Sequence, residues 1–120
     1  MSSNCPFCDL IAAHHYDSRD EEVVSFEPLN PVVPGHRLFV PVQHVRSALT
    51  APWVAAHVMH MAAGSLMPGR QGNFIWNCGE SAGQTVWHAH LHWVPRAPGD
   101  GLAMPWTAQQ AALALVGGER

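Results

Sequence analysis

Three histidines alternate with apolar residues in the stretch Thr85-Val86-Trp87-His88-Ala89-His90-Leu91-His92-Trp93. The run is rich in β-branched, aromatic and aliphatic residues, which predicts a strand, and on a strand residues two apart point the same way. His88, His90 and His92 then form one row of imidazoles, and Trp87, Ala89, Leu91 and Trp93 face a packed core. Imidazoles stacked along one face repel when protonated. The row therefore needs either neutral rings or something negative upon it, a phosphate or a metal's ligand set. A single strand histidine is ordinarily a surface or core residue; three in strict alternation mark a candidate site. The lead-in Asn77-Cys78-Gly79-Glu80-Ser81-Ala82-Gly83-Gln84 adds glycines, an amide and a hydroxyl, the composition of a turn able to hold an oxyanion.

The elements that must position this row follow from the flanking patterns. Gly72 to Asn77 reads as a strand, and the loop through Gly83 can return it antiparallel to the histidine strand, bringing Asn77 beside the imidazoles. Val23 to Glu27 is a strand ended by Pro28, and Gly35 turns the chain into a strand from His36 to Val42. Pro41 has no N–H to give, which confines it to an edge, a bulge or the strand's end. His36 carries no chemistry in this pattern and reads as structural. Thr50 is the expected N-cap of a helix with Pro52 in its first turn. Val54, Val58, Met61, Ala62 and Ser65 form one stripe of that helix, with His57 and His60 flanking it as solvated residues, and Met67 to Arg70 ends it. Leu10 to His15 continues a short amino-terminal helix, Asp17 to Glu22 is a polar connector, Pro95 and Pro98 close the histidine strand, and Ala108 to Val116 is a terminal helix ended by Gly117-Gly118. The class is α+β, with an antiparallel sheet against one main helix.

The 120 residues make one domain, large enough to build a core without disulfides. Almost half the residues are apolar and only 12% are charged, which argues for a compact globule and against disorder, and the formal charge of −3 comes with no lysine and scattered arginines. No basic patch is available to track a nucleic-acid backbone. No apolar run approaches the ~18 residues of a membrane span, and the amino terminus lacks a leader, so a cytoplasmic protein is expected.

Cys5-Pro6-Phe7-Cys8 has two readings. A thioredoxin-like redox pair follows a buried strand, for which the four preceding residues leave no room. The other is half a zinc site, two thiolates offered to a tetrahedral ion that needs two more ligands.

Taken together, these motifs resemble the histidine triad (HIT) family. Its signature His-φ-His-φ-His-φ-φ, with φ apolar, is matched by His88-Ala89-His90-Leu91-His92-Trp93-Val94, and Asn77, Gly83-Gln84-Thr85, Pro34-Gly35-His36 to Pro41, His44 and the Cys5–Cys8 pair stand in family order. The resemblance covers residues 5 to 96, with 97 to 120 as a tail. It implies a HIT-like fold, with about five antiparallel strands packed against one main helix plus short terminal helices. It also implies a structural zinc ion held by Cys5, Cys8, His44 and His88, and a homodimer. The stretch between the main helix and the next strand is shorter than the family's.

For the site, the resemblance makes His90 the nucleophile on the α-phosphate of a nucleoside phosphoramidate, dinucleoside polyphosphate or similar nucleotide. His92, Thr85, Gln84, Gly83 and Asn77 serve phosphate and leaving group, and Glu27 stands at the ribose position, where aspartate is commoner. Imidazole suits this work, being neutral and nucleophilic near pH 7 yet close to a cationic form. Two other functions fit the same residues less well: a zinc-stabilised nucleotide-binding module without activity, which would not need a nucleophile, and a catalytic zinc hydrolase, for which Glu80 is the only nearby carboxylate.

Overall fold

A computed structural model describes residues 4–104 and 106–115, the side chains of 114 and 115 excepted. Five strands form one antiparallel sheet in the order β1-β2-β3-β5-β4. They are β1 (Ser18–Arg19), β2 (Val23–Phe26), β3 (Arg37–Pro41), β4 (Gly72–Trp76) and β5 (Leu91–Pro95), joined by α1 (Pro6–Ala12), α2 (Pro52–Gly64) and α3 (Thr107–Leu115). The expected α+β class and five-stranded sheet are both present.

Strand alternation sorts the core into two layers. Val24, Phe26, Leu38 and Val40 pack on Phe7 and Ile11 of α1. Val23, Phe39, Leu91 and Trp93 pack on the other face against Val58 and Ala62 of α2. Burial on both faces explains why β2 reads as an apolar run rather than an alternating one. Four of the five expected stripe residues face the sheet, Val58 and Ala62 fully buried with Val54 and Met61 packed beside them, whereas Ser65 is the exposed C-cap. No helix among the described residues is long and apolar enough to cross a membrane.

The histidine strand is shorter than the sequence predicts. β5 begins only at Leu91, and residues 85–90 form a bent segment outside the ladder. Pro41 supplies the reason. The β3–β5 register pairs Phe39 with Leu91, which would set Ala89 opposite Pro41, a residue with no N–H to give. The Ala89 N–H turns instead to the Val45 carbonyl at 2.7 Å. Trp87, expected in the core, is exposed in this bend and lies under the Arg46 guanidinium at 4.2 Å.

Other boundaries differ for local reasons. Cys5, not a residue near Leu10, caps the first helix, its sulfur accepting the Cys8 N–H, and the helix stops at Ala12 ahead of His14 at φ 59°. The connector after it contains β1, whose two residues pair with Val24 and Ser25. Ala51 rather than Thr50 is the N-cap of α2; the Thr50 hydroxyl is occupied with the backbone of Ser47. That helix already ends at Gly64, before Met67-Pro68. The terminal helix runs Thr107–Leu115, and the expected stop at Gly117-Gly118 lies outside the described residues.

Gly72 opens β4 against the face of Trp93, where an added Cβ would fall 2.4 Å from the indole ring. Gly72→Ala is expected to lower unfolding free energy by roughly 1–3 kcal/mol, the usual cost of overpacking a filled site. Urea denaturation checks this; an unchanged midpoint would mean that the Trp93 ring moves aside freely.

Candidate functional site

The three histidines do different jobs, and their hydrogen bonds assign each ring a protonation state. His88 is fully buried, with Nε2 2.8 Å from the Pro41 carbonyl. A carbonyl only accepts, so Nε2 carries the proton and Nδ1 is left bare. That bare nitrogen lies 3.3 Å from the Cys5 sulfur and 3.5 Å from the Cys8 sulfur, and His44 Nδ1 lies 3.3 Å from Cys8. The four ligand atoms fall within 4.8 Å of one another. A tetrahedral ion with bonds of about 2.0–2.3 Å sets its ligand atoms about 3.3–3.8 Å apart; the three Cys–His pairs at 3.3–3.5 Å already have that spacing, and two thiolates with two imidazoles are a donor set that zinc takes. The Pro41 carbonyl behind His88 is the kind of partner that fixes a ligating imidazole. The expected metal residues Cys5, Cys8, His44 and His88 thus come together.

His90 has the opposite tautomer. Its Nδ1 lies 2.8 Å from the His88 carbonyl and must carry the proton, leaving the Nε2 lone pair free. The ring is 8% exposed, its edge packed on Phe7 at 4.9 Å between centroids. Burial pushes its pKa down against the pull of the His88 carbonyl, which keeps it neutral. His90 lines a cavity of about 760 Å³ together with His92, Thr85, Glu27, Phe26 and Leu10.

His92 is held by His36, a residue to which the sequence pattern assigns no chemistry. His36 is buried, and its Nδ1 accepts the Val32 N–H at 3.1 Å. Its proton is therefore on Nε2, which donates to His92 Nδ1 at 2.9 Å, so the His92 proton is on Nε2. Two neutral imidazoles in series leave His92 as a fixed hydrogen-bond donor. Only the β3–β5 register, which pairs Leu38 with His92, brings His36 there, and a lone sequence does not reveal register. Phe7, which forms the wall behind His90, was equally invisible as a site residue.

The loop residues fall into two groups. Thr85 is exposed and lines the larger cavity, as does Glu27 at the end of β2. Gln84 is buried and spends its amide inside the protein: Nε2 donates to the Arg46 and Val86 carbonyls, and Oε1 accepts the Gly79 N–H. The donor role expected for its side chain is therefore taken up in holding the loop. Asn77 donates to the Ala82 carbonyl at 2.6 Å and lines a second cavity, of about 520 Å³, that shares His92 and His36 with the first. Gly83 sits at φ 91°, a left-handed position suited to glycine, with Asn77 Nδ2 3.6 Å from where a Cβ would be. Glu80 lies on the exposed 3-10 turn Glu80–Ala82 and is absent from both cavities and from the Cys/His cluster.

The HIT domain profile matches residues 16–99. This chain belongs to the HIT family. Protein hit of Bacillus subtilis is 30% identical over 116 residues, covering 88% of this chain and 80% of its own. A zinc-bound histidine triad family protein from Mycobacterium smegmatis superposes with a TM-score of 0.71 at 28% identity, over 95% of this chain and 96% of that one. A HIT family hydrolase from Clostridium thermocellum does so with 0.68 at 25% identity, over 87% and 99%. The HIT fold and the Cys/His cluster expected of this chain are both consistent with these neighbours.

Burial, then the neighbouring His90 and His36, push the His92 pKa down to about 4. A group whose folded pKa lies below its ordinary value of ~6.5 leaves the unfolded chain to bind a proton that the fold refuses. Its share of stability is present above about 6.5 and is lost as pH falls toward about 4. NMR titration should accordingly find no His92 midpoint between pH 5 and 8; a midpoint near 6.5 would contradict the His36–His92 arrangement.

Proposed function

We propose that this HIT protein is a nucleotide hydrolase or nucleotidyl transferase acting at the α-phosphate through a nucleotidyl-histidine intermediate on His90. The observation that carries the reading is the bond from His90 Nδ1 to the His88 carbonyl, which leaves an unprotonated Nε2 on a ring that lines a large cavity. In the first step the Nε2 lone pair forms a bond to phosphorus. The bond to the leaving group breaks, its electron pair departs with that group, and the group takes a proton relayed from solvent through the Thr85 hydroxyl. In the second step a water oxygen attacks phosphorus, the P–Nε2 pair returns to His90, and the water's proton leaves by the same route. The His92 Nε2–H donates to a non-bridging oxygen as charge builds there, and the Gly83 turn shapes the loop beside it. Glu27, at the rim of the cavity, accepts from the ribose hydroxyls.

Zinc, bound by Cys5, Cys8, His44 and His88, supplies structural cross-linking only: four protein ligands leave no open position for substrate. Its consequence for the site is mechanical. Cys5 caps α1, and α1 carries Phe7 and Leu10, the apolar wall of the cavity. We place two copies edge to edge, since β4 ends the sheet with β5 on one side only, and the resulting homodimer is part of this proposal.

His90→Ala should reduce hydrolysis of an adenosine phosphoramidate to background while retaining nucleotide binding and the circular dichroism of the fold. Undiminished turnover by that variant would remove His90 as nucleophile. Cys8→Ser should lower bound zinc, read by elemental analysis, and lower the thermal midpoint, with much less effect on turnover per folded molecule. An unchanged midpoint with and without chelator would contradict the structural role.

A further inference from the structure

The face of the sheet that carries α2 is not covered along its whole length. Strand register sets Ser25 opposite Phe39 and Arg37 opposite Trp93, so these four side chains form one patch on that face. The helix ends at Gly64, and residues 65–71 carry the chain past the patch to β4. A cavity of about 460 Å³ remains there, walled by Phe39, Leu66 and Trp93 and bordered by Arg37 and Arg70. His36 and His92, which precede Arg37 and Trp93, line the cavity of the histidine row on the opposite face. The two cavities lie back to back and share no residue but Asp17.

The donors around this cavity outnumber the acceptors that the protein offers them. Arg70 is exposed, and its guanidinium, 6.0 Å from the centroid of the Trp93 ring, has no carboxylate partner among the described residues. Arg37 divides Nη1 between the Asp17 carboxylate at 3.2 Å and Ser25 Oγ at 3.3 Å, which leaves Nε and Nη2. The Ser18 and Ser25 hydroxyls lie 2.5 Å apart; one proton bridges them and the other is left to give. Trp93 is only 5% exposed, and its buried Nε1–H has no hydrogen-bond partner among the described residues. The carbonyls that end α2 do not compete for these donors, since Ser65 and Leu66 bond to those of Met61, Ala62 and Ala63. Asp17, Arg37 and Arg70 are the charged groups that line the cavity, two cations against one anion. One net positive charge suits a monoanion, whereas a phosphate dianion would also meet Asp17.

We propose that this cavity is a separate ligand site for a small monocarboxylate with an apolar, aromatic body. Arg70 and Arg37 take the carboxylate, and the body rests against Leu66 and Trp93. A planar guanidinium matches a carboxylate with two parallel N–H donors, and an apolar wall beside it favours an organic acid over a bare ion. The site is independent of the reaction at His90, from which the thickness of the sheet separates it.

Proton–nitrogen correlation spectra of the full zinc-loaded chain, titrated with phenylpropionate, test this. Saturable shifts are expected at the Trp93 Nε1–H and at the Leu66 and Arg70 amides, with a dissociation constant on the order of 1 mM, the scale for a ligand of about eleven heavy atoms. Acetate should bind at least about tenfold more weakly, because it leaves the apolar wall unused. Phenylpropylamine, the same body with the opposite charge, should not bind there. Arg70→Gln should weaken phenylpropionate by about tenfold, the scale of one charge-assisted hydrogen bond, with the rest of the spectrum unchanged. Arg70→Lys should recover part of that loss, since it keeps the charge without the fork. No saturable shift by about 10 mM phenylpropionate, an amine that binds as well as the acid, an unchanged constant in Arg70→Gln, or shifts confined to residues around His90 would each overturn the site. Inorganic phosphate binding more tightly than phenylpropionate would overturn the monocarboxylate class.

Discussion

His88 touches everything that matters in this molecule. Its Nδ1 faces the Cys5 and Cys8 sulfurs, its Nε2–H donates to the Pro41 carbonyl at the end of β3, and its own carbonyl accepts the hydrogen bond from His90 Nδ1–H. One buried residue thus ties the amino-terminal helix to the sheet and sets the tautomer of the next histidine in the row. Because its ring is spent on those bonds, it has no lone pair for substrate, and the division of labour along the row follows from that.

The departure of residues 85–90 from the ladder is part of the same design. Had β5 run on from Leu91 back to Thr85, the carbonyl of His88 and the N–H of Ala89 would be ladder groups and unavailable for other work. Pro41 interrupts the pairing, Ala89 turns to Val45, and the His88 carbonyl is left to His90. A proline at a strand end therefore acts on the site without touching it. The buried Gln84, bonded to the Arg46 and Val86 carbonyls, braces the bend from the other side.

Much of this was legible from residue types and spacing. The alternation of His88, His90 and His92, the Cys5–Cys8 pair, the α2 stripe and the antiparallel return of β4 all express short-range periodicity, which a sequence displays directly. The Cys/His cluster needed the family resemblance as well, because His44 lies 36 residues from Cys8 and no local pattern joins them. What could not be read depends on register or on competition for hydrogen bonds. His36 meets His92 across 56 residues, through a strand pairing that its own neighbours do not announce. Thr50 has the side chain of a cap but is occupied by Ser47, and Gln84 has the side chain of a phosphate donor but is occupied by backbone carbonyls. In both cases residue type stated a capacity, and packing decided where it was used.

Attack on phosphorus by His90 requires one protonation state of its ring. Long-range proton–nitrogen correlation spectra of the zinc-loaded protein near pH 7 report which nitrogen of His90 carries the proton. The hydrogen bond to the His88 carbonyl predicts an Nδ1–H tautomer, with Nε2 showing the chemical shift of an unprotonated imidazole nitrogen. A His90 ring protonated at Nε2, or at both nitrogens, would contradict the account, because no lone pair would then be available at the nitrogen assigned to the attack.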